Sequence, residues 1–135
     1  MNSAIIKSVG MRAGGCCEYC LMPQVVHVLT FPIDHVIARQ HGGETIQSNL
    51  ALSCTRCNSY KGPNIAGLDP ESGALSRLFH PRTDAWNDHF HLVGPMIQGL
   101  TPIGRTTVFV LQFNHADSIA LRSSLIAEGI FGELA

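Results

Sequence analysis

The chain lacks any apolar run long enough to span a membrane. Met1 to Val9 holds only the short Ala4-Ile5-Ile6 apolar patch and no signal-peptide core. The expectation is a cytoplasmic protein with no membrane partner. The chain also lacks a positive excess: its formal net charge is −1. That excludes a basic tail or stripe as the means of holding a polyanion. There is no internal repeat and no low-complexity linker. The 135 residues are 45% hydrophobic, enough for a real core in one compact domain or in a core with an appended subdomain.

The charge is unevenly spread. Residues 1–62 carry Lys7, Arg12, Arg39, Arg56 and Lys61 against Glu18, Asp34 and Glu44, a balance of +2. Residues 63–135 carry four arginines against seven carboxylates, a balance of −3. A phosphate-facing surface would therefore be local, and binding through so few cations weak and salt-sensitive.

Five cysteines are present. In a secreted chain they would suggest disulfides. Here four form two Cys-x-x-Cys pairs, Cys17/Cys20 and Cys54/Cys57, a pattern that favours a metal knuckle in a cytoplasmic chain. Four thiolates satisfy tetrahedral zinc and leave no open position for water, so this Zn²⁺ would be structural. The 33 residues between Cys20 and Cys54 exceed the usual zinc-ribbon spacing, so the knuckle closes a loop over whatever lies between. Buried reduced thiols or a redox pair are the bland alternatives. Cys16 is left over, either as a free thiol or as a competitor of Cys17.

That loop holds the reactive residue types. Asp34-His35 follows an apolar lead-in from Phe31, and His41-Gly42-Gly43 makes a turn. Asn49 precedes Leu50-Ala51-Leu52, and Cys54-Thr55-Arg56-Cys57 runs into Asn58 and Lys61-Gly62. Phosphodiester hydrolysis needs a base for water, a hard cation, and groups that hold the phosphate. Histidine's ordinary pKa near neutrality suits His35 to the first role. Asp34 and Asn58 offer oxygen ligands suited to Mg²⁺ or Mn²⁺. Asn49 has the chemistry to orient His35 by a side-chain hydrogen bond. Arg56 and Lys61 are candidate phosphate contacts. Arg39 is another candidate, and equally a surface cation. Adjacent strand residues face opposite ways, so Asp34 and His35 share one site only where the strand is twisted or splayed. Singly, each residue has an ordinary reading: Asp-His as surface decoration, Asn49 as a turn residue, His41 as a solvated loop histidine.

Taken in order, Phe31 to Gly43 and Ser48 to Gly62, with Cys17-Glu18-Tyr19-Cys20 upstream, resemble the HNH endonuclease family, the zinc-stapled branch of the ββα-metal nucleases. The resemblance is close over roughly the first half of the chain. It implies that Asp34 ligates the catalytic metal, His35 is the general base and Asn49 positions that base. Asn58 takes the third motif position, making an H-N-N variant. It further implies Mg²⁺ or Mn²⁺ as catalytic cation, with Ni²⁺ or Co²⁺ serving in vitro. The run from Leu78 to Phe90, followed by Gly99 to Thr107, looks like the C-terminal extension of many bacterial stand-alone HNH proteins.

The expected fold class is α+β. A ββα-metal (HNH) core stapled by a four-cysteine zinc knuckle occupies 1–64. An extension of a hairpin, a strand and two helices occupies 65–135, packed on the core. Residue patterns predict a helix over Ser3 to Ala13 and an extended segment from Val25 to Phe31. They predict strands over Ile33 to Ala38 and Leu50 to Leu52, the second equally readable as a helical turn. A helix follows over Thr55 to Gly62. Asp69 to Gly73 turns a hairpin, and Ala85 to Val93 reads as a strand. Thr101-Pro102 caps a helix over Ile103 to Phe113, and Asp117 to Glu128 forms the last, closed by Gly129. His89-x-His91 on a strand would place two rings on one side, as a metal pair or as ordinary polar positions. Trp86 and Phe90 read as core aromatics.

The expected function is metal-dependent hydrolysis of DNA, double-stranded in the first instance, by nicking or cleavage. One site per chain makes nicking natural. The alternative is a non-catalytic zinc-stapled module that binds nucleic acid or a protein. Nothing resembles an RNA-binding motif or a toxin-delivery signal, and substrate assays decide those roles. No protein partner is named by any motif.

Overall fold

The computed structural model of the chain describes residues 1–131, so the last four residues of the expected extension lie outside the described residues. Helix α1 (Ser3–Arg12) is opened by Asn2, whose side chain accepts from the Ile5 amide at 2.9 Å. Gly14 and Gly15, both at positive φ, end it as the Gly-Gly pattern predicts. The chain then makes the first Cys-x-x-Cys turn. Val25 to Phe31 is not the extended segment expected. Gln24–Val26 is a short 3₁₀ turn, followed by bends. β-Branched residues favour strands only where a partner offers a pleated surface to pack on, and Val25, Val28 and Leu29 stand exposed instead.

Strand β1 (Ile33–His35) pairs antiparallel with β2 (Leu50–Leu52), with Asp34 opposite Ala51 and His35 opposite Leu50. β1 is half the expected length because the chain bends at Val36. That bend is held by the Val36 amide on the Asn49 carbonyl at 2.9 Å. Helix α2 (Thr55–Lys61) follows at once and closes at Gly62, φ +49. Strand, loop, strand and helix thus come in the order a ββα core requires.

The remainder begins with the hairpin β3 (Ala66–Leu68) and β4 (Leu75–Arg77), turning where Asp69 to Gly73 predicts. The expected strand from Ala85 is instead a short helix α3 (Trp86–His89) that passes directly into β5 (Phe90–Val93). β5 pairs with β6 (Met96–Gly99), a strand the sequence reading left out. Helix α4 (Pro102–Val110) starts on the expected cap, Thr101 accepting from the Gly104 amide at 3.0 Å, with Pro102 at its first position. Helix α5 (Ala116–Ala127) ends at Gly129, φ +74.

One continuous apolar cluster takes residues from both segments, from Val9, Tyr19 and Leu50 to Phe79, Phe90, Leu111, Phe113 and Leu125. An aromatic series runs through it. Tyr19 meets Phe79 edge-on at 6.5 Å, Phe79 meets Phe90 at 5.2 Å, and Phe90 meets Phe113 at 5.5 Å. Each such pair adds about 0.5–1.5 kcal/mol beyond the area it buries. The Trp86 indole N–H donates to the Tyr19 carbonyl at 2.8 Å. Glu18 joins the first Cys pair to β2, accepting from the Leu52 amide at 2.8 Å, and forms an ion pair with Arg82 of the extension. No helix among the described residues is long and apolar enough to cross a membrane.

Candidate functional site

The two Cys-x-x-Cys turns fold the same way. The Cys20 amide donates to Cys17 Sγ at 3.4 Å, and the Cys57 amide to Cys54 Sγ at 3.3 Å. Each turn thereby aims both sulfurs to one side. All four ligand atoms lie within 4.8 Å of one another, and Cys20 Sγ and Cys54 Sγ are 3.6 Å apart. A zinc tetrathiolate with bonds of ~2.3 Å needs edges of roughly 3.8 Å, so the donor set fits the ion. Hydrogen bonds from Cys17, Cys20 and Cys57 pull the Cys54 thiol well down, while hydrogen bonds from Cys17 and Cys54 push Cys20 up and burial pushes Cys57 up. Cys16 stands outside the set. Its sulfur turns to the Gly14 carbonyl at 3.7 Å, which removes it as a competitor of Cys17.

The staple brings α2 against β1, and a groove of about 240 Å³ opens where they meet. Asp34, His35, Arg39 and Asn58 all line it, together with Ile33, Ala38, Gly62 and Pro63. Asp34 and His35 do point to opposite sides of the strand, one buried and one half-buried. Both are among the residues that line the groove, at the end of β1.

Asp34 is 5% exposed. Its carboxylate accepts from the Tyr19 hydroxyl at 2.7 Å and pairs with Lys61 Nζ at 3.1 Å. Burial pushes its pKa up, opposed by the Lys61 charge and the Tyr19 hydroxyl. Burial and the Asp34 charge push the Tyr19 hydroxyl well up, so it stays a donor. Lys61 is 1% exposed and also donates to the His35 carbonyl at 3.2 Å. It is therefore an internal counter-ion of Asp34, whereas the sequence offered it as a phosphate contact. Asn58 and Lys61, three residues apart on α2, face the same way.

His35 Nε2 bonds Thr45 Oγ1 at 2.8 Å. The Thr45 hydroxyl can accept from Nε2–H or donate to Nε2; in the tautomer protonated at Nε2, Nδ1 keeps the free lone pair. The expected partner, Asn49, does something else. Its Oδ1 accepts from the Ile37 amide at 2.9 Å, and its Nδ2 donates to the carbonyls of Ile37 at 3.0 Å and Glu44 at 2.9 Å. It thus clamps the loop that carries Thr45, and reaches His35 only through that loop. The Gly-Gly turn serves the same clamp. Gly42 supplies φ +90, and a Cβ on Gly43 would run into the Ile37 carbonyl and the Asn49 amide. Asn49→Ala is expected to cost about 2–3 kcal/mol, since it strands three backbone groups. Urea unfolding of the metal-loaded protein measures it. A loss under ~1 kcal/mol would show that the loop does not depend on this clamp.

Of the three candidate phosphate contacts, Arg39 is exposed at the groove. Arg56 reaches back to Asp117 of α5 at 3.3 Å. His41 is exposed on the loop. His89 and His91 do not form a pair. His89 closes α3 and bonds Thr101 at 2.6 Å, while His91 on β5 bonds Gln98 at 2.8 Å. Sequence reasoning missed Tyr19 and Thr45. Tyr19 carried one signal, its place between two zinc ligands. Thr45 carried none.

Residues 17–64 match the model of the HNH endonuclease family. The matched span contains both cysteine pairs of the staple, the groove residues Asp34, His35, Arg39 and Asn58, and the clamp residue Asn49. The chain is also similar to the Septu protein PtuB of Bacillus thuringiensis, 31% identical over 78 residues, which is 58% of this chain and 28% of that protein. The alignment thus spans under a third of the relative's length. No solved structure matches the chain. In the segment that matches the HNH model, the groove lining includes a carboxylate, a carboxamide and an imidazole residue, Asp34, Asn58 and His35, and no cysteine.

Proposed function

We propose that the protein is a metal-dependent endonuclease that hydrolyses DNA phosphodiester bonds, with His35 as general base. One observation carries the reading: His35, Asp34, Asn58 and the exposed Arg39 line a single groove within the HNH segment. Mg²⁺ or Mn²⁺, held by Asp34 and Asn58, would supply charge neutralisation at the phosphate. The chain's own residues do the rest. Thr45 holds the imidazole by Nε2, so that Nδ1 takes the proton of the attacking water. Lys61 and Tyr19 fix the carboxylate of Asp34 from behind. Arg39 meets the phosphate at the open side of the groove. With one site per chain the product is a nick, and a double-strand break requires two chains or two events. Double-stranded DNA in the cytoplasm is the proposed substrate.

A second reading, a zinc-stapled binding module without catalysis, has one observation in its favour: the Asp34 carboxylate is already engaged by Lys61 and Tyr19. The two separate on supercoiled plasmid incubated with protein freed of loosely held divalent ions but retaining zinc. Conversion to open circle with Mg²⁺ or Mn²⁺, and none without, is expected. No conversion with any divalent cation would overturn catalysis in favour of the binding module, and cutting of RNA alone would replace the substrate.

A further inference from the structure

Arg122 of α5 lies far outside the HNH segment in sequence, yet it is the largest fully buried side chain described, at 0% exposure. Its Nε donates to the Pro95 carbonyl at 2.6 Å, and its Nη2 to the Phe113 carbonyl at 2.8 Å and to Asn114 Oδ1 at 3.1 Å. All three acceptors are neutral. Among the described residues Nη1 has no partner, although it is buried. Among the described residues no carboxylate pairs with Arg122, whereas Arg56, Arg77, Arg82 and Arg105 each have one. A guanidinium cannot shed its charge at any ordinary pH, so a buried one without an anion is strongly unfavourable. The fold must supply an anion.

The candidate anion is the staple. Leu121, the preceding residue on α5, and Phe113, whose carbonyl Arg122 holds, line the same cavity of about 570 Å³ as Cys20, Cys54 and Cys57. Four thiolates around one Zn²⁺ leave a net charge of −2 in the apolar core, which also needs compensation. We infer that Arg122 is the buried counter-charge of the metal-loaded four-cysteine staple, so that the C-terminal helix α5 completes the zinc site of the HNH segment. Burial pulls the Arg122 pKa down, and the charges of Cys20, Cys57 and Cys54 oppose that pull. Arg122 ligates nothing. It is a positioning residue that balances the staple's charge and docks the extension on it.

The test is zinc retention, independent of any cutting. Arg122→Met keeps the length of the side chain and removes its charge. It is expected to weaken zinc binding about 10–100-fold in competition with a chromogenic chelator, the usual loss for an outer-shell partner. Arg122→Lys, which keeps the charge and gives up the guanidinium fork, is expected to restore most of it. If Arg122→Met binds zinc as tightly as wild type and merely unfolds more easily, the arginine only braces Pro95 and Phe113, and the inference is overturned. Should neither variant fold, the zinc-loaded wild type decides. Nuclear Overhauser contacts from the Arg122 guanidinium protons to the β protons of Cys20, Cys54 or Cys57 are expected, and their absence overturns it.

Discussion

Replacing His35 by alanine is expected to slow plasmid nicking by about 10²–10⁴-fold while leaving zinc content and folding unchanged, the usual contribution of a positioned general base. The side chain is half-buried at the groove and lies outside the apolar cluster. Its one hydrogen bond is to Thr45. Removing the imidazole therefore leaves the β1–β2 pairing, which is carried by backbone groups, and the Asp34–Lys61 pair behind it. Initial rates of open-circle formation at saturating Mg²⁺ measure the loss. Equal cutting by the variant and the wild type would assign the activity to another base or to a contaminant. Thr45→Val supplies a graded control. It keeps the imidazole and removes only its bond to Thr45, so a loss of about tenfold in kcat with KM unchanged is expected. Loss of binding instead would mean that Thr45 shapes the groove, not the base.

Stripping the staple metal is expected to unfold the HNH segment outright. The four cysteines lie inside the apolar cluster and hold together three pieces of chain, the turn after α1, the end of β2 and the start of α2. Structural zinc contributes an apparent 10–16 kcal/mol, roughly, in small zinc-finger folds at neutral pH. A domain of this size has a total stability of about 5–15 kcal/mol. The comparison decides the outcome, because the metal term is as large as everything else together. Cys54→Ser is expected to lose zinc and the cooperative thermal transition, followed by circular dichroism with metal analysis on the same sample. Cys16→Ser, whose sulfur faces away from the set, is expected to retain both. A cooperative transition in zinc-free protein would show that the apolar core suffices without the staple. Acid works in the same direction, since protonating the thiolates releases the metal.

Lys61 joins these two results. It belongs to the helix that the staple positions, and its ammonium lies against the carboxylate proposed to hold the catalytic cation. Under the proposed function, the staple metal and the catalytic cation would be mechanically linked. The staple sets α2, α2 sets Lys61 and Asn58, and these set what Asp34 can offer to the groove.

Much of this was legible in the residues alone. Two matched cysteine pairs state a tetrahedral site because the chemistry of thiolates and zinc needs nothing else. Gly42-Gly43, Thr101-Pro102 and Gly129 state a turn, a helix start and a helix end, because each depends on the φ angles or hydrogen bonds of its own neighbourhood. The order strand, loop, strand, helix around Asp34, His35 and Asn58 follows from local pattern in the same way.

Partners distant in sequence were decided by tertiary structure. Tyr19 and Lys61 meet Asp34 across 15 and 27 residues, and nothing in their own surroundings marks them as its partners. Thr45 makes the side-chain bond to His35 that pattern assigned to Asn49, since a hydrogen bond depends on where a loop carries its donor, not on which residue has the right chemistry. Val25 to Phe31 had strand composition without a strand to pair with, and β6 had a strand without the composition to announce it. Sequence determined which chemistry this protein holds, because that resides in residue types at short spacing. Packing alone decided which groups face one another, because a buried charge takes whatever partner the fold brings within reach.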